Sequence, residues 1–173
     1  MLKIALTGGI GTGKTYLSKH FVEMGIPVFY ADEEAKKLYN LPEVIQFFHS
    51  NFGEAVFTNQ NLDFQKLASV VFSHQEFRLL VNKFIHPLVF EKFEEWAKMQ
   101  NAPSVMMESA IIFEAHLEHH FDKIIVVDAP LEVRIERIKK RSPHLSDEEI
   151  RNRINAQISQ EIKCKKADLV ILN

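Results

Sequence analysis

Between Leu6 and Thr15 the chain reads LTGGIGTGKT, a segment that holds four of its six glycines. Backbone so poor in side chains contributes nothing to a packed core, and its use is to let something approach the chain closely. The segment follows LKIALT, a short apolar run of strand character. It precedes YLSKHFVEM, an amphipathic run closed by Gly25, a helix stop. A tight glycine turn from a strand into a helix constrains the whole chain, because it belongs to domains in which strands and helices alternate.

Counted from Gly8, the spacing is G-x-x-x-x-G-K-T, ending at Gly13, Lys14 and Thr15, and its context matches the phosphate-binding P-loop. Glycine at positive φ lets successive N–H groups turn inward around a phosphate, and the helix that follows adds the positive end of its dipole. Lys14 supplies a full charge to the outer phosphates, and the Thr15 hydroxyl is a ligand for Mg²⁺. Gly9, Gly11, Thr12, Gly13, Lys14, Thr15 and Tyr16 are therefore the candidate residues for ATP, with Thr15 the candidate metal ligand.

Four further runs have the near-continuous apolar character of strands covered on both faces: IPVFY (26–30), PSVMMES (103–109), DKIIVVDA (122–129) and DLVIL (168–172). Helical patterns lie between them, in PLEVRIERIKKR and in SDEEIRNRINAQISQEI. The latter opens on a capping box formed by Ser146 and Glu149. The expected fold is a three-layer α/β sandwich on a five-stranded parallel sheet. Residues 1–39 and 102–173 form the core, with a small lid at about 137–150. Residues 40–101 break the alternation. They are aromatic-rich and helical, with the last helix interrupted or kinked near Pro87, and read as an insertion that forms one wall of a cleft.

A length of 173 residues suits one domain with an insertion, and a net charge of -2 argues against a dominant electrostatic grip on nucleic acid or anionic lipid. Cys164 is a single cysteine, which suits a reducing compartment. No signal peptide and no apolar run long enough for a membrane span is found, so a cytoplasmic protein is expected.

Among P-loop proteins the guanine-reading Asn-Lys-x-Asp string is missing; NKFI at 82–85 lacks the aspartate. What does appear is Asp32, just after the second strand, where a carboxylate faces the γ-phosphate and takes the proton of an acceptor hydroxyl. Asp32 also suits an N-cap for ADEEAKKLY, and the two roles are compatible. Arg134, Arg137 and Arg141 recur at i, i+3 and i+7, which puts them on one helix face, either as lid arginines or as a solvated basic face. Arg141, followed by the turn-rich RSPHLSD, is the favoured lid residue. His116 and His120 have a metal-compatible spacing without a third ligand, and the stripe Phe84, Phe90, Phe93, Trp96 reads as core.

The segments LTGGIGTGKT, GIPVFYADEEAKKL, NFG, LDFQKLASVVF, HPLV, ESAIIFE, RIKKR and RINAQISQEIKCKKADLVILN, in this order, resemble the dephospho-CoA kinases over nearly the whole chain. The resemblance implies transfer of the ATP γ-phosphate to the ribose 3′-hydroxyl of dephospho-CoA. It implies Asp32 as catalytic carboxylate, Lys14 and Arg141 at the transferred phosphoryl group, and Asn173 near the adenine. It also implies His86 and Glu108 beside the substrate. Three positions depart from the family's pattern: Tyr30 and Phe64 stand where an acid and an arginine are common, and Glu108 where an aspartate often stands. The family usually continues past the position of Asn173 with a glycine and a final helix. The expected partner is a small molecule, with no nucleic acid and no membrane, and the expected state a monomer or small homo-oligomer. Another small-metabolite kinase, or an ATP-binding regulator without an acceptor, remains the alternative.

Overall fold

The structure is a computed structural model that describes residues 1–173, the side chains of residues 72 and 73 excepted. Contacts divide it into two compact units, Met1–Tyr30 with Trp96–Asn173, and Ala31–Glu95. The boundaries fall at the end of the second strand and inside a long helix.

The first unit is built on a five-stranded parallel sheet of order β2-β5-β1-β6-β7. Its strands are β1 (Leu2–Thr7), β2 (Val28–Tyr30), β5 (Ser104–Glu108), β6 (Lys123–Asp128) and β7 (Leu169–Leu172). Each falls within an apolar run expected to be a strand, and the predicted α/β class is the one observed. β1 pairs with β5 from Leu2↔Ser104 and with β6 from Ile4↔Lys123, which makes it central. Ile4, Leu6, Met106, Ile125 and Val127 form one buried cluster, against which Leu17 and Phe21 of helix α1 (Lys14–Glu23) pack. The C-terminal end of β1 thus delivers the glycine loop to a helix whose apolar side is fixed on the sheet.

The same unit holds α6 (Leu131–Arg141), α7 (Asp147–Asn155) and α8 (Gln160–Lys166). Ser146 and Glu149 form the expected capping box on α7. The single helix expected from Ser146 to Ile162 is instead two. Helix α7 ends at Asn155, and Ser159 caps α8 by accepting from the Ile162 N–H. Glu118–His120 is a 3₁₀ turn, and His116 sits at φ 54, so the i, i+4 helical spacing of His116 and His120 does not exist. Among the described residues no metal-holding cluster occurs, and no helix is long and apolar enough to cross a membrane.

The second unit contains α2 (Ala31–Leu38), α3 (Pro42–Phe52), a two-stranded hairpin of β3 (Phe57–Thr58) and β4 (Asn61–Leu62), α4 (Phe64–Ser73) and most of α5 (Gln75–Lys98). Its core buries Leu38, Val44, Phe48, Val56, Phe57, Leu67, Val81, Ile85, Val89 and Phe93. Phe47 and Phe84 stack with centroids 3.9 Å apart. Asp63 caps α4 by accepting from the Gln65 and Lys66 N–H groups, which holds its carboxyl below the usual range. Of the expected interruption or kink near Pro87, the interruption is not found: α5 runs from Gln75 to Lys98 with Pro87 inside it.

Candidate phosphate-binding site

The loop between β1 and α1 holds Gly8, Gly11 and Gly13 at φ 145, 83 and 92, and Gly13 is the N-cap of α1. A Cβ on Gly11 would stand 2.7 Å from the Arg134 carbonyl oxygen, and one on Gly13 would stand 2.1 Å from Asn173 Nδ2. Side chains are excluded here because the protein itself closes on the back of the loop.

Almost every polar group on that back is matched. Lys14, only 9% exposed, folds over the loop and donates through Nζ to the Gly8 carbonyl at 2.9 Å and to the Gly9 carbonyl at 3.3 Å. The buried Thr12 hydroxyl donates to the Gly9 carbonyl at 2.9 Å. Arg134 Nε donates to the Ile10 carbonyl at 2.9 Å, while the Thr12 carbonyl accepts from Arg137 Nη1 at 3.1 Å and from Asn173 Nδ2 at 2.9 Å. Burial pulls the Arg134 guanidinium below its ordinary pKa, opposed by the nearby Asp128 carboxylate. Two loop amides are also engaged: Gly9 N–H donates to Gln160 Oε1 and Ile10 N–H to Gln157 Oε1, each at 2.8 Å.

The N–H groups of Gly11, Gly13 and Thr15 are different, for they have no acceptor among the described residues. No acidic residue belongs to the first turn of α1, and these donors and the helix dipole form a positive pole there. Such a group of amides binds an anion of phosphate size. The metal-ligand candidate Thr15 donates its hydroxyl to Glu108 Oε2 at 3.0 Å, at the end of β5. A hydroxyl and a carboxylate side by side are oxygen donors of the kind Mg²⁺ takes, so the residues present fit that ion.

The other expected site residues have different settings. Tyr16 is exposed in the first turn of α1, edge-on to the His20 ring. Asn173 also continues the sheet by donating its N–H to the Asp128 carbonyl at 2.9 Å. Arg141 is the last residue of α6 and exposed, whereas Arg134 and Arg137 on the same helix reach the loop. In the second unit, Asp32 lies in the first turn of α2, directly after β2 in the chain, and contributes to raising the pKa of the Tyr39 hydroxyl, after burial itself. His86 is half-buried in α5, immediately before Pro87.

Sequence reasoning passed over Gln157, Gln160 and Lys163. Lys163 is fully buried and donates through Nζ to the Ala110 carbonyl at 2.6 Å, with Glu114 Oε1 2.7 Å away. Burial holds its ammonium below the ordinary value in spite of that carboxylate. The signal for the glutamines was Ser159, a second capping residue inside what reads as one helix.

Comparison with known proteins agrees with this geometry. The family described as CoaE: Dephospho-CoA kinase matches residues 2–173. A dephospho-CoA kinase of Bacteroides fragilis is 40% identical over 174 residues, covering 99% of this chain and 84% of the relative. A crystal structure of a Thermus thermophilus protein superposes with a TM-score of 0.88 at 34% identity, over 99% of this chain and 88% of that one. A dephospho-CoA kinase from Campylobacter jejuni superposes with a TM-score of 0.67 at 27% identity, over 99% and 87% of the two chains.

Proposed function

The chain belongs to the dephospho-CoA kinase family, and from that premise we propose that it phosphorylates the ribose 3′-hydroxyl of dephospho-CoA with ATP and Mg²⁺. The observation that carries the nucleotide half is the division of the loop's polar groups. The back of the loop is occupied by its own protein, while the N–H groups of Gly11, Gly13 and Thr15 are left as donors. A triphosphate supplies the acceptors they lack, and Lys14 exchanges the Gly8 and Gly9 carbonyls for phosphate oxygens.

In the reaction the 3′-hydroxyl oxygen bonds to the γ-phosphorus as the bond to the bridging oxygen breaks, and ADP leaves. The hydroxyl proton passes to Asp32, whose carboxylate orients the nucleophile and accepts the proton late in a loose transition state. Thr15, with Glu108 beside it, would hold the Mg²⁺. That ion neutralises charge on the phosphate oxygens when bound. Arg141, exposed at the end of α6, is the cation for the transferred phosphoryl group, and Arg134 and Arg137 shape the loop from behind. Asn173 and Tyr16 border the nucleotide, and His86 the acceptor. A single cysteine, Cys164, suits the cytoplasm as the place of this reaction.

The test is ADP release with ATP and Mg²⁺, in the presence and absence of dephospho-CoA, for the chain, Asp32→Asn and Lys14→Ala. Stimulation by dephospho-CoA is expected, lost in Asp32→Asn with ATP binding retained, and lost in Lys14→Ala together with ATP binding. Slow ADP release indifferent to dephospho-CoA refutes the acceptor assignment and leaves a nucleotide-binding regulator.

A further inference from the structure

The phosphate-facing amides of the loop account for nucleotide binding, but the two amides that precede them are taken by side chains from more than 140 positions later. Gly9 N–H donates to Gln160 Oε1, a separation of 151 residues, and Ile10 N–H donates to Gln157 Oε1, a separation of 147. Gln160 is used at both ends of its amide: its Nε2 donates to the Val127 carbonyl at 2.8 Å. Flipping the Gln160 amide breaks both bonds, so its orientation is determined by its partners. The same Val127 carbonyl oxygen stands 2.4 Å from where a Cβ on Gly8 would lie, so Gln160 ties Gly9, the second residue of GGI, to β6.

Gln157 lies in the break between α7 and α8 and Gln160 is the first residue of α8, and that break is itself held. Glu114 Oε1 accepts from the Ile158 N–H at 3.0 Å, the residue between Gln157 and the α8 cap Ser159. Glu114 is in turn held by the fully buried Lys163, whose Nζ also donates to the Ala110 carbonyl. From Lys163 to Glu114, to Ile158, to the glutamine pair and to Gly9 and Ile10, each step is a hydrogen bond or ion pair or an adjacent residue in the chain. A continuous helix would have satisfied the Ile158 N–H internally; the break instead gives that amide to Glu114.

We propose that Gln157 and Gln160 are positioning residues that preset the glycine loop for ATP by withdrawing the Gly9 and Ile10 amides from the phosphate side. A glycine loop is the segment with the most conformational freedom to lose on binding, and fixing it beforehand removes part of that cost. The donors at Gly11, Gly13 and Thr15 are then the ones presented to a phosphate. The glutamines act through the loop backbone. The inference rests on the reading of the loop as the ATP site.

The experiment measures binding of Mg²⁺-ATP by titration, together with KM and kcat, for the chain, Gln157→Met, Gln160→Met and Lys14→Ala. Methionine keeps the length of glutamine and removes the acceptor, and an orphaned amide of this kind weakens ATP binding about tenfold on the scale of one lost hydrogen bond. KM for ATP is expected to rise by that factor, while kcat at saturating ATP and the affinity for dephospho-CoA stay within twofold of the parent chain. ATP affinity unchanged within twofold in both methionine variants overturns the proposal. A fall in kcat with KM unchanged overturns it as well, since that is the signature of lost folded protein.

Amide hydrogen exchange on the unaltered chain is a second measurement that does not require a variant to fold. The Gly9 and Ile10 amides are expected to be protected without nucleotide and little changed by ATP, while Gly11, Gly13 and Thr15 gain protection on adding it. Gly9 and Ile10 exchanging as fast as Gly11 in the nucleotide-free chain overturns the proposal. If the unaltered chain fails to bind ATP, or Lys14→Ala binds it equally well, the ATP-site reading falls and the inference falls with it. Failure of the glutamines alone leaves Lys14→Ala defective.

Discussion

Replacing Lys163 by methionine tests how the segment behind the loop is held. The substitution keeps an unbranched side chain of similar length in a position with no exposure, so little volume changes. What changes is Glu114, whose side chain is 15% exposed and loses the ammonium 2.7 Å from its Oε1. Its other oxygen, Oε2, is buried without a hydrogen-bond partner among the described residues, and the Ile158 N–H that Oε1 also accepts is a neutral donor that does not replace the lost charge. Removing one member of a buried pair costs about 3–5 kcal/mol. For a chain of this size a loss of that order lowers Tm by about 6–20 °C. Urea unfolding of Lys163→Met and the parent at pH 7 reads the difference directly, and adding Glu114→Gln to Lys163→Met should restore most of the loss. A loss below about 1 kcal/mol, or no recovery in the double variant, would falsify the picture of a carboxylate left without its cation.

Two other perturbations follow from the same geometry. Gly11→Ala places a Cβ 2.7 Å from the Arg134 carbonyl at φ 83, so ATP affinity should fall by tenfold or more in a titration, and unchanged affinity would contradict the loop packing. Asp168 accepts from the Ile124 N–H at 2.8 Å and from Lys123 Nζ at 3.0 Å, which holds its carboxyl below the ordinary 3.8. A folded value below the unfolded one means that its contribution is complete above about pH 3.8 and is lost as pH falls through the folded value. Asp168→Asn keeps an oxygen for the Ile124 amide without titrating, so the acid limb of the stability curve should flatten below pH 4. An acid limb identical to the parent's would count against Asp168 as its source.

The five strands were legible because each is a short apolar run placed where helices cover it, and the loop was legible because its glycines have a spacing that little else requires. What was not legible depends on partners distant in sequence. The periodicity of Arg134, Arg137 and Arg141 put them on one face, but the near end of that face, rather than the end at Arg141, meets the loop. The stretch after Ser146 has helical pattern throughout, and it breaks because Glu114 takes the Ile158 amide and Ser159 caps a new helix. Pro87 reads as an interruption or a kink, and α5 continues through it as one helix. The hairpin at Phe57–Leu62 turns on Asn59 and Gln60, both at positive φ, where the usual glycine signal is absent.

The central claim is that the acceptor is the ribose 3′-hydroxyl of dephospho-CoA. The direct measurement is identification of the product after incubation of the chain with dephospho-CoA, Mg²⁺ and ATP labelled in the γ-phosphate. The account predicts the label in a 3′-phosphomonoester of coenzyme A, formed in equal amount with ADP and absent with Asp32→Asn. Label recovered only as inorganic phosphate, or on another position of the acceptor, would contradict it.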